Sequence, residues 1–260
     1  MASALIGGLI AAGRAPAGIV VVEPFEAQRD KLAQAFGVQA QAAADARLAR
    51  AATVVWAVKP QLFGEAAASC RAHVAGALQL SVMAGIRTDA VARASGSGEI
   101  VRAMPNTPAL IGRGIAGLYA TSSVSAAQRA SIEALLAPTG ATLWLPREAD
   151  LDAVTALSGS GPAYVYYVLE AMMAAAEQMG LSAEHGRRLA IATFDGAAEL
   201  ARRSSETPQA LRAQVTSKGG TTHAAITSLE ADGVQAAFVR ALRAAERRAQ
   251  ELGDEFGRLV

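Results

Sequence analysis

The stretch Thr-Val-Val-Trp-Ala-Val-Lys-Pro-Gln at residues 53–61 decides the fold class. Its first six residues form an unbroken apolar and β-branched run, which is typical of a strand that is covered on both faces. Pro60 cannot continue a strand ladder, so the chain must turn out of the sheet directly after this run. An Ala-rich segment of helical length follows at residues 62–75, and a second apolar run begins at Leu78. This order of strand, helix and strand predicts a parallel sheet.

The same alternation continues to about residue 150. The predicted strands are Ile19–Glu23, Thr53–Val58, Leu78–Ala84, Glu99–Met104, Ile115–Ala120 and Thr142–Leu145. The predicted helices between them are residues 26–36, 62–75, 87–95 and 125–137, the last opened by a Ser125 and Gln128 capping box. We therefore predict an α/β, doubly wound and mostly parallel Rossmann-like domain over residues 1–149.

The first strand of such a domain is missing from the pattern. Residues 2–12 have helical character and are followed by the strand Ile19–Glu23, yet no strand and glycine-rich turn precede them. In a doubly wound fold the first helix follows both of these elements. We expect a sheet that lacks its first strand and an incomplete site for a dinucleotide pyrophosphate.

Beyond residue 150 the strand-like runs end and the pattern becomes helical. The predicted helices are residues 151–158, 162–179, 183–203, 208–215, 223–231 and 233–252. The segment 162–179 is apolar around most of its circumference, so it must be buried on several sides by its own domain or by a second subunit. We predict an all-α domain over residues 150–260.

Composition narrows the functional class. Lys and Arg number 24 against 23 Asp and Glu, and the basic residues are scattered, so nucleic acid is an unexpected partner. The single cysteine, Cys70, cannot form an intrachain disulfide or a Cys-based metal site, and the three histidines lack metal-ligand spacing. No apolar run is long enough for a membrane span, and the apolar N-terminus lacks the basic residues of a signal peptide. We expect a soluble cytoplasmic protein with no metal.

Three polar residues lie at the end of a predicted strand or directly after one. Glu23 lies where an acidic residue bonds the ribose of a dinucleotide, although a solvated strand end explains it equally well. Lys59 follows the strongest strand and could face a phosphate or ribose, or be an ordinary exposed lysine. Asn106 lies in the turn Met-Pro-Asn-Thr-Pro at residues 104–108, which is either a functional segment of the carboxyl edge or a rigid turn.

The most informative stretch is Val-Thr-Ser-Lys-Gly-Gly-Thr-Thr-His at residues 215–223, with a helix predicted to follow from Ala224. Consecutive glycines before a helix offer backbone N–H donors, and the helix N-terminus adds positive partial charge. The segment suits a carboxylate or a phosphate. Capping by Thr221 or Thr222 is the simpler explanation, but capping does not require two glycines and three hydroxyls.

The small residues Ser-Gly-Ser-Gly-Pro at residues 158–162 do not form a serine hydrolase site. A nucleophile elbow needs a strand before the serine, and the pattern here is helical. We instead expect the backbone at these glycines to pass close to another part of the molecule.

At this point the sequence resembles the pyrroline-5-carboxylate reductases over essentially its whole length. The family's characteristic stretch is matched by Pro208, Leu211, Val215-Thr216-Ser217, Gly219-Gly220, Thr222, Ala225-Ile226 and Leu229-Glu230. Further family blocks are matched in order by residues 58–61, 104–108 and 158–164. The sequence departs from the family pattern in one respect, because the family's N-terminal strand and its glycine turn have no match here.

The resemblance implies hydride transfer from NADPH or NADH to the cyclic imine 1-pyrroline-5-carboxylate, which yields L-proline. It implies that Gly219, Gly220 and Thr221 bind the substrate carboxylate with Ser217 nearby, and that the Thr222 hydroxyl contacts the ring nitrogen. The implied cofactor-binding residues are Glu23, Ala57, Val58, Lys59, Pro60, Met83, Ala84, Gly85 and Asn106. It also implies a helical domain that interlocks into homodimers, commonly assembled into decamers.

Glu23 would repel a 2′-phosphate, so the residues favour NADH although the family often uses NADPH. Two alternatives stay open. A related β-hydroxyacid reductase would need an active-site lysine, and no lysine occurs between Lys59 and Lys218. A catalytically impaired chain that serves only as an assembly module would follow from an incomplete phosphate site.

Overall fold

The computed structural model describes residues 1–257 and divides them into two compact units. One unit contains residues 1–162 and the described residues from Ala244 onward, and the other contains residues 163–243. The predicted domain boundary between residues 149 and 150 stays a prediction. In the described residues, no helix is both long and apolar enough to cross a membrane.

A five-stranded sheet forms the centre of the first unit. Its strands are β3 (Thr53–Trp56), β4 (Leu78–Ser81), β5 (Ile100–Met104), β6 (Gly114–Ala120) and β7 (Gly140–Trp144), in the order 3-4-5-6-7. Strands β3, β4 and β5 are parallel, and so are β6 and β7, as the alternating pattern predicts. Strand β6 is antiparallel to β5, because the connection at residues 105–113 is too short for a parallel crossover.

Two short strands form a separate parallel pair, β1 (Val21–Val22) with β2 (Ala40–Gln41). The predicted strand Ile19–Glu23 is therefore shorter than expected, and β2 was not predicted because its residues do not form an apolar run. Among residues 1–257, no strand joins this pair to β3. The expected discontinuity of the sheet lies between β1 and β3.

Helices cover both faces of the five-stranded sheet. The helices of this unit before residue 155 are α1 (Ala2–Ala11), α2 (Glu26–Phe36), α3 (Phe63–Val74), α4 (Thr88–Ser95), α5 (Ala126–Leu136) and α6 (Asp150–Val154). On one face Leu5 of α1 and Ile132 of α5 pack on Leu80 and Leu118. On the other face Phe63 of α3 packs on Trp56 with a ring-centroid distance of 5.2 Å. The doubly wound arrangement is confirmed.

The rest of the chain is helical, as predicted. After a π-helical turn at Thr155–Gly159, the helices are α7 (Gly161–Gln178), α8 (Ala183–Arg203), α9 (Pro208–Gln214), α10 (Thr221–Ala231) and α11 (Val234–Gly257). The predicted helix 151–158 is thus α6 and the π turn, and α10 begins two residues earlier than expected. Helix α7 buries only Ala176, because a single chain supplies too few neighbours for its apolar circumference.

Candidate functional site

The predicted cofactor-binding residues of the sheet lie at its carboxyl edge. Residues 57–60 follow β3, residues 83–85 follow β4, and Asn106 follows β5. Trp56 pairs with Ser81, and Ser81 pairs with Arg102, so the parallel strands end close to the same level. The structure therefore places these three segments side by side, at the edge where open α/β sheets bind their ligands.

The segment after β3 leaves the sheet as expected. Val58 packs against the apolar cluster that contains Trp56 and Phe63, whereas Ala57 packs against the cluster on the opposite face. Pro60 starts a short 3-10 turn, Pro60–Leu62. The Lys59 side chain is exposed and has no ion pair or hydrogen bond within residues 1–257, so its ammonium group is available to a ligand.

Glu23 lies in a tightly fixed turn between β1 and α2. Its Oε1 atom accepts a hydrogen bond from the Phe25 N–H at 3.0 Å. The guanidinium group of Arg29 donates from Nη1 to the carbonyl oxygens of Glu23 at 3.0 Å and Pro24 at 2.7 Å. Sequence reasoning did not identify Arg29, although a basic residue six positions after a strand-terminal glutamate was a visible signal. The turn presents one carboxylate and one guanidinium at the end of β1.

Asn106 lies at the carboxyl edge of the sheet and also bonds to the next strand. Its Oδ1 atom accepts a hydrogen bond from the N–H of Ile115 in β6 at 3.0 Å. This bond fixes the side-chain amide where the chain enters the antiparallel strand. Its Nδ2 donor has no partner within residues 1–257 and is available to a ligand.

The glycine-rich segment 158–162 passes close to this edge, as predicted from its small residues. A Cβ atom on Gly159 would lie 2.6 Å from Cε of Met104, at the end of β5. A larger residue at position 159 would displace that methionine. Ser158 donates its hydroxyl to the carbonyl oxygen of Val154 at 3.1 Å, and a helix precedes it, so it is not on a nucleophile elbow.

The predicted substrate loop lies in the second unit. Gly219 adopts a φ of +78°, which disfavours other residues, and the Gly220 N–H donates to the carbonyl oxygen of Ser217 at 3.0 Å. Gly220 is the N-cap of α10, and no side chain caps the helix. The alternative explanation, capping by Thr221 or Thr222, is therefore wrong, because both residues lie inside the first helical turn.

This geometry leaves donors at the start of α10. The N–H groups of a first helical turn, here Thr221 to His223, have no acceptors within the helix and carry the positive end of its dipole. The hydroxyl groups of Ser217 and Thr222 lie on the same short segment. The loop therefore offers backbone N–H donors and hydroxyls to an anion.

A buried polar network that the sequence analysis missed lies beneath the carboxyl edge. Arg102 of β5 donates from Nη1 to Glu148 Oε1 at 2.7 Å. Glu148 also accepts from the Thr88 N–H at 2.7 Å and from its hydroxyl at 2.6 Å. Thr88 is the first residue of α4, so the carboxylate lies at a helix N-terminus. The signal in the sequence was a lone arginine inside the apolar run of β5.

Asp152 lies next to this network without joining it. Burial raises the pKa of the Asp152 carboxyl above its ordinary value. The positive charges of Arg102 and Arg87 oppose this effect, while the carboxylates of Glu148 and Asp254 add to it. A carboxyl group that is costly to ionise therefore lies behind the sheet edge. Within residues 1–257, neither these carboxylates nor any other group of three or more His, Cys, Asp and Glu could hold a metal ion.

Both parts of the chain match known family models. Residues 148–252 match the model described as pyrroline-5-carboxylate reductase dimerisation. Residues 1–85 match the model described as NADP oxidoreductase, coenzyme F420-dependent. The first match spans the helical part of the chain, and the second covers β1, β2, β3 and β4.

Solved structures share the fold over nearly the whole chain. A pyrroline-5-carboxylate reductase from Coxiella burnetii superposes with a TM-score of 0.89 at 36% identity, covering 96% of this chain and 94% of that one. The Plasmodium falciparum pyrroline carboxylate reductase with NADP bound gives a TM-score of 0.85 at 27% identity, with the same coverage of 96% and 94%.

Sequence relatives agree with the structures. The pyrroline-5-carboxylate reductase of Synechocystis is 37% identical over 97% of this chain and 95% of the relative. That of Pseudomonas aeruginosa is 44% identical over 263 aligned residues, which cover 99% of this chain and 95% of the relative. The chain thus belongs to the pyrroline-5-carboxylate reductase family.

Proposed function

We propose that the protein reduces 1-pyrroline-5-carboxylate to L-proline with NADPH or NADH, as a step of proline biosynthesis. The observation that carries this proposal is the 44% identity to a reductase of that name over 99% of the chain. The carboxyl edge and the α10 loop supply the two kinds of site that the reaction needs.

The carboxyl edge of the sheet fits a nicotinamide dinucleotide. Gly85 has a φ of +75° that holds the turn after β4 in place, Lys59 offers a free ammonium group, and Asn106 offers its Nδ2 donor. We assign the nicotinamide to the ends of β4 and β5, and the ribose to Glu23 and residues 57–60. When bound, the dinucleotide supplies the hydride.

The α10 loop fits the substrate's carboxylate. The N–H groups of Gly219 and Thr221 hold this anion, and Ser217 contributes its hydroxyl, while the Gly220 N–H stays bonded to the carbonyl oxygen of Ser217 and fixes the loop. The Thr222 hydroxyl contacts the ring nitrogen, so that it orients the proton that makes the imine carbon electrophilic. No strong base is needed for this reaction, so no side chain is assigned that role.

We propose that the protein acts as a cytoplasmic homodimer that further assembles into a decamer. Helix α7 exposes Tyr166 at 58% and Tyr167 at 74%, and α11 exposes Phe238 at 44% in the single chain. Apolar side chains gathered on one helical unit are typical of an interface between subunits. The match of residues 148–252 to a dimerisation model supports the same conclusion.

A turnover assay tests the proposal directly. The purified chain is mixed with 1-pyrroline-5-carboxylate and either NADPH or NADH, and both dinucleotide oxidation and proline formation are followed. We expect one proline to form for each dinucleotide oxidised. Binding of the dinucleotide without proline formation would contradict the assigned substrate. Failure to bind either dinucleotide would contradict the assigned cofactor site and favour an assembly module.

A further inference from the structure

The end of the last helix lies directly on the segment that follows β4. Gly85 has a φ of +75°, and a Cβ atom there would lie 2.7 Å from Cδ2 of Phe256 and 3.2 Å from the carbonyl oxygen of Leu252. Both contacts come from α11. The backbone of Gly85 and the end of α11 are therefore packed without space for a side chain between them.

A polar contact fixes the next part of the same segment. Arg87 donates from Nη2 to Oδ1 of Asp254 at 2.7 Å. Its guanidinium group crosses α11 at Gly253, where a Cβ atom would lie 3.0 Å from Nη2. Gly253 is buried, so its lack of a side chain leaves the space that Arg87 occupies.

Apolar packing supports this contact. Phe256 packs against the apolar cluster that includes Met83 and Ile86, on either side of Gly85 in the chain. At the far end of the segment, Glu148 holds the N–H and hydroxyl of Thr88. Residues 83–88 are thus fixed from α11 on one side and from Glu148 at their end.

We propose that Asp254 and Phe256 are positioning residues for cofactor binding, acting through residues 83–87. This inference rests on the proposed function, which places the nicotinamide against residues 83–85. A loop that is ordered before binding loses less conformational entropy when the ligand arrives, so its affinity is higher. The end of α11 therefore sets dinucleotide affinity without contacting the dinucleotide.

Hydrogen exchange of the unliganded chain tests the structural half of the proposal. Asp254→Asn should accelerate amide exchange at residues 83–88 about 2- to 5-fold, because exposed ion pairs have modest energies. Phe256→Ala should accelerate it about 10-fold or more, because it removes an aromatic side chain from a packed cluster. Glu255→Gln is the matched control. Its carboxylate pairs with Arg248 at 2.7 Å within α11, so exchange at residues 83–88 should not change.

Dinucleotide binding tests the functional half. We expect the Kd and KM for NADPH or NADH to rise by similar factors in Asp254→Asn and Phe256→Ala, with kcat nearly unchanged. Exchange rates at residues 83–88 that equal those of the parent in Asp254→Asn and Phe256→Ala, as in the Glu255→Gln control, would overturn the proposal. Faster exchange in these two variants with an unchanged Kd for the dinucleotide would also overturn it. If the parent chain binds no dinucleotide, the proposed function fails, and the exchange comparison still decides whether α11 orders this loop.

Discussion

Arg102 and Glu148, which are 46 residues apart in the chain, form an ion pair of 2.7 Å. The side chain of Arg102 is 8% exposed and that of Glu148 is 23% exposed. Their pairing joins β5 to the segment before α6, and through Thr88 it reaches the start of α4. Charges at this depth are costly to separate, since each is stable only with its partner present.

Removing one member of this pair should destabilise the protein strongly. We expect Glu148→Gln to lower the free energy of unfolding by about 3 kcal/mol, because it leaves the Arg102 charge buried without its counterion. The double variant Arg102→Met with Glu148→Leu should lose less free energy of unfolding than Arg102→Met alone and Glu148→Leu alone lose together. Urea denaturation measures all of these values. Asp89→Asn breaks an exposed i,i+4 pair with Arg93 and should cost less than about 1 kcal/mol. An equal loss of stability in Glu148→Gln and Asp89→Asn would contradict the conclusion that burial makes the Arg102–Glu148 pair costly to break.

The raised pKa of Asp152 predicts a pH-dependent effect of Asp152→Asn. The native carboxyl binds its proton more tightly than the unfolded one, so it destabilises the fold as pH rises through the native pKa. The variant should be more stable than the parent at pH 7, and the two should be equally stable near pH 3, below the unfolded value. Thermal unfolding across this range provides the measurement.

Asp89→Asn is the control, and its effect on stability should change with pH in the opposite direction. The Arg93 guanidinium lowers the pKa of the Asp89 carboxyl, so that group stabilises the fold above its ordinary pKa and loses this effect in acid. An Asp152→Asn variant that is less stable than the parent at pH 7 would show that its carboxylate is favourably paired.

The turn at Glu23 should control the choice between NADH and NADPH. Glu23→Ser removes the carboxylate that would face a 2′-phosphate, and we expect the ratio of kcat/KM values to shift toward NADPH by about 10- to 100-fold. Glu23→Gln is the sharper variant, because its side-chain oxygen can still accept the hydrogen bond from Phe25 N–H. If the cofactor preference shifts in Glu23→Ser but not in Glu23→Gln, the cause is the lost hydrogen bond to Phe25 N–H and a changed turn, not the lost charge. A parent protein that already prefers NADPH strongly would contradict a ribose contact by Glu23.

Thr222→Val tests the hydroxyl that is proposed to meet the substrate nitrogen. A hydrogen bond to a charged group contributes about 1.5–3 kcal/mol, so kcat/KM should fall roughly 10- to 150-fold. The Kd of the dinucleotide should hardly change. Thr227→Val, an exposed position on the same helix, is the matched control and should retain the parent activity. Parental turnover in Thr222→Val would remove this hydroxyl from the mechanism.

The exposed apolar residues of α7 predict that the protein is not monomeric. Light scattering should show dimers or larger assemblies at micromolar concentration, because exposed patches of this kind are rare on monomers. Tyr167→Glu, which places a charge at a residue that is 74% exposed in the single chain, should shift the population toward monomer. A soluble monomeric parent protein would contradict the proposed interface.

Much of the fold followed from local pattern. The apolar run before Pro60 predicted β3 and the turn that ends it, because periodicity and proline stereochemistry act over a few neighbouring residues. The paired glycines at residues 219–220 marked the loop before α10 for the same reason. Strand β2 was not predicted, because it has only two residues and these do not form an apolar run with a periodic pattern.

Long-range pairing was decided only by the tertiary structure. Arg87 meets Asp254 across 167 residues of chain, and Glu148 meets Arg102 across the sheet edge. The lone arginine in the apolar run of β5 was a local signal, but nothing in the local sequence identified its partner. Asn106 was recognised as polar and well placed, yet its bond to Ile115 became visible only once β6 returned antiparallel to β5. Sequence pattern determines which face of a helix or strand is buried. Packing in three dimensions determines which distant charges and carbonyls those elements bring within hydrogen-bonding distance.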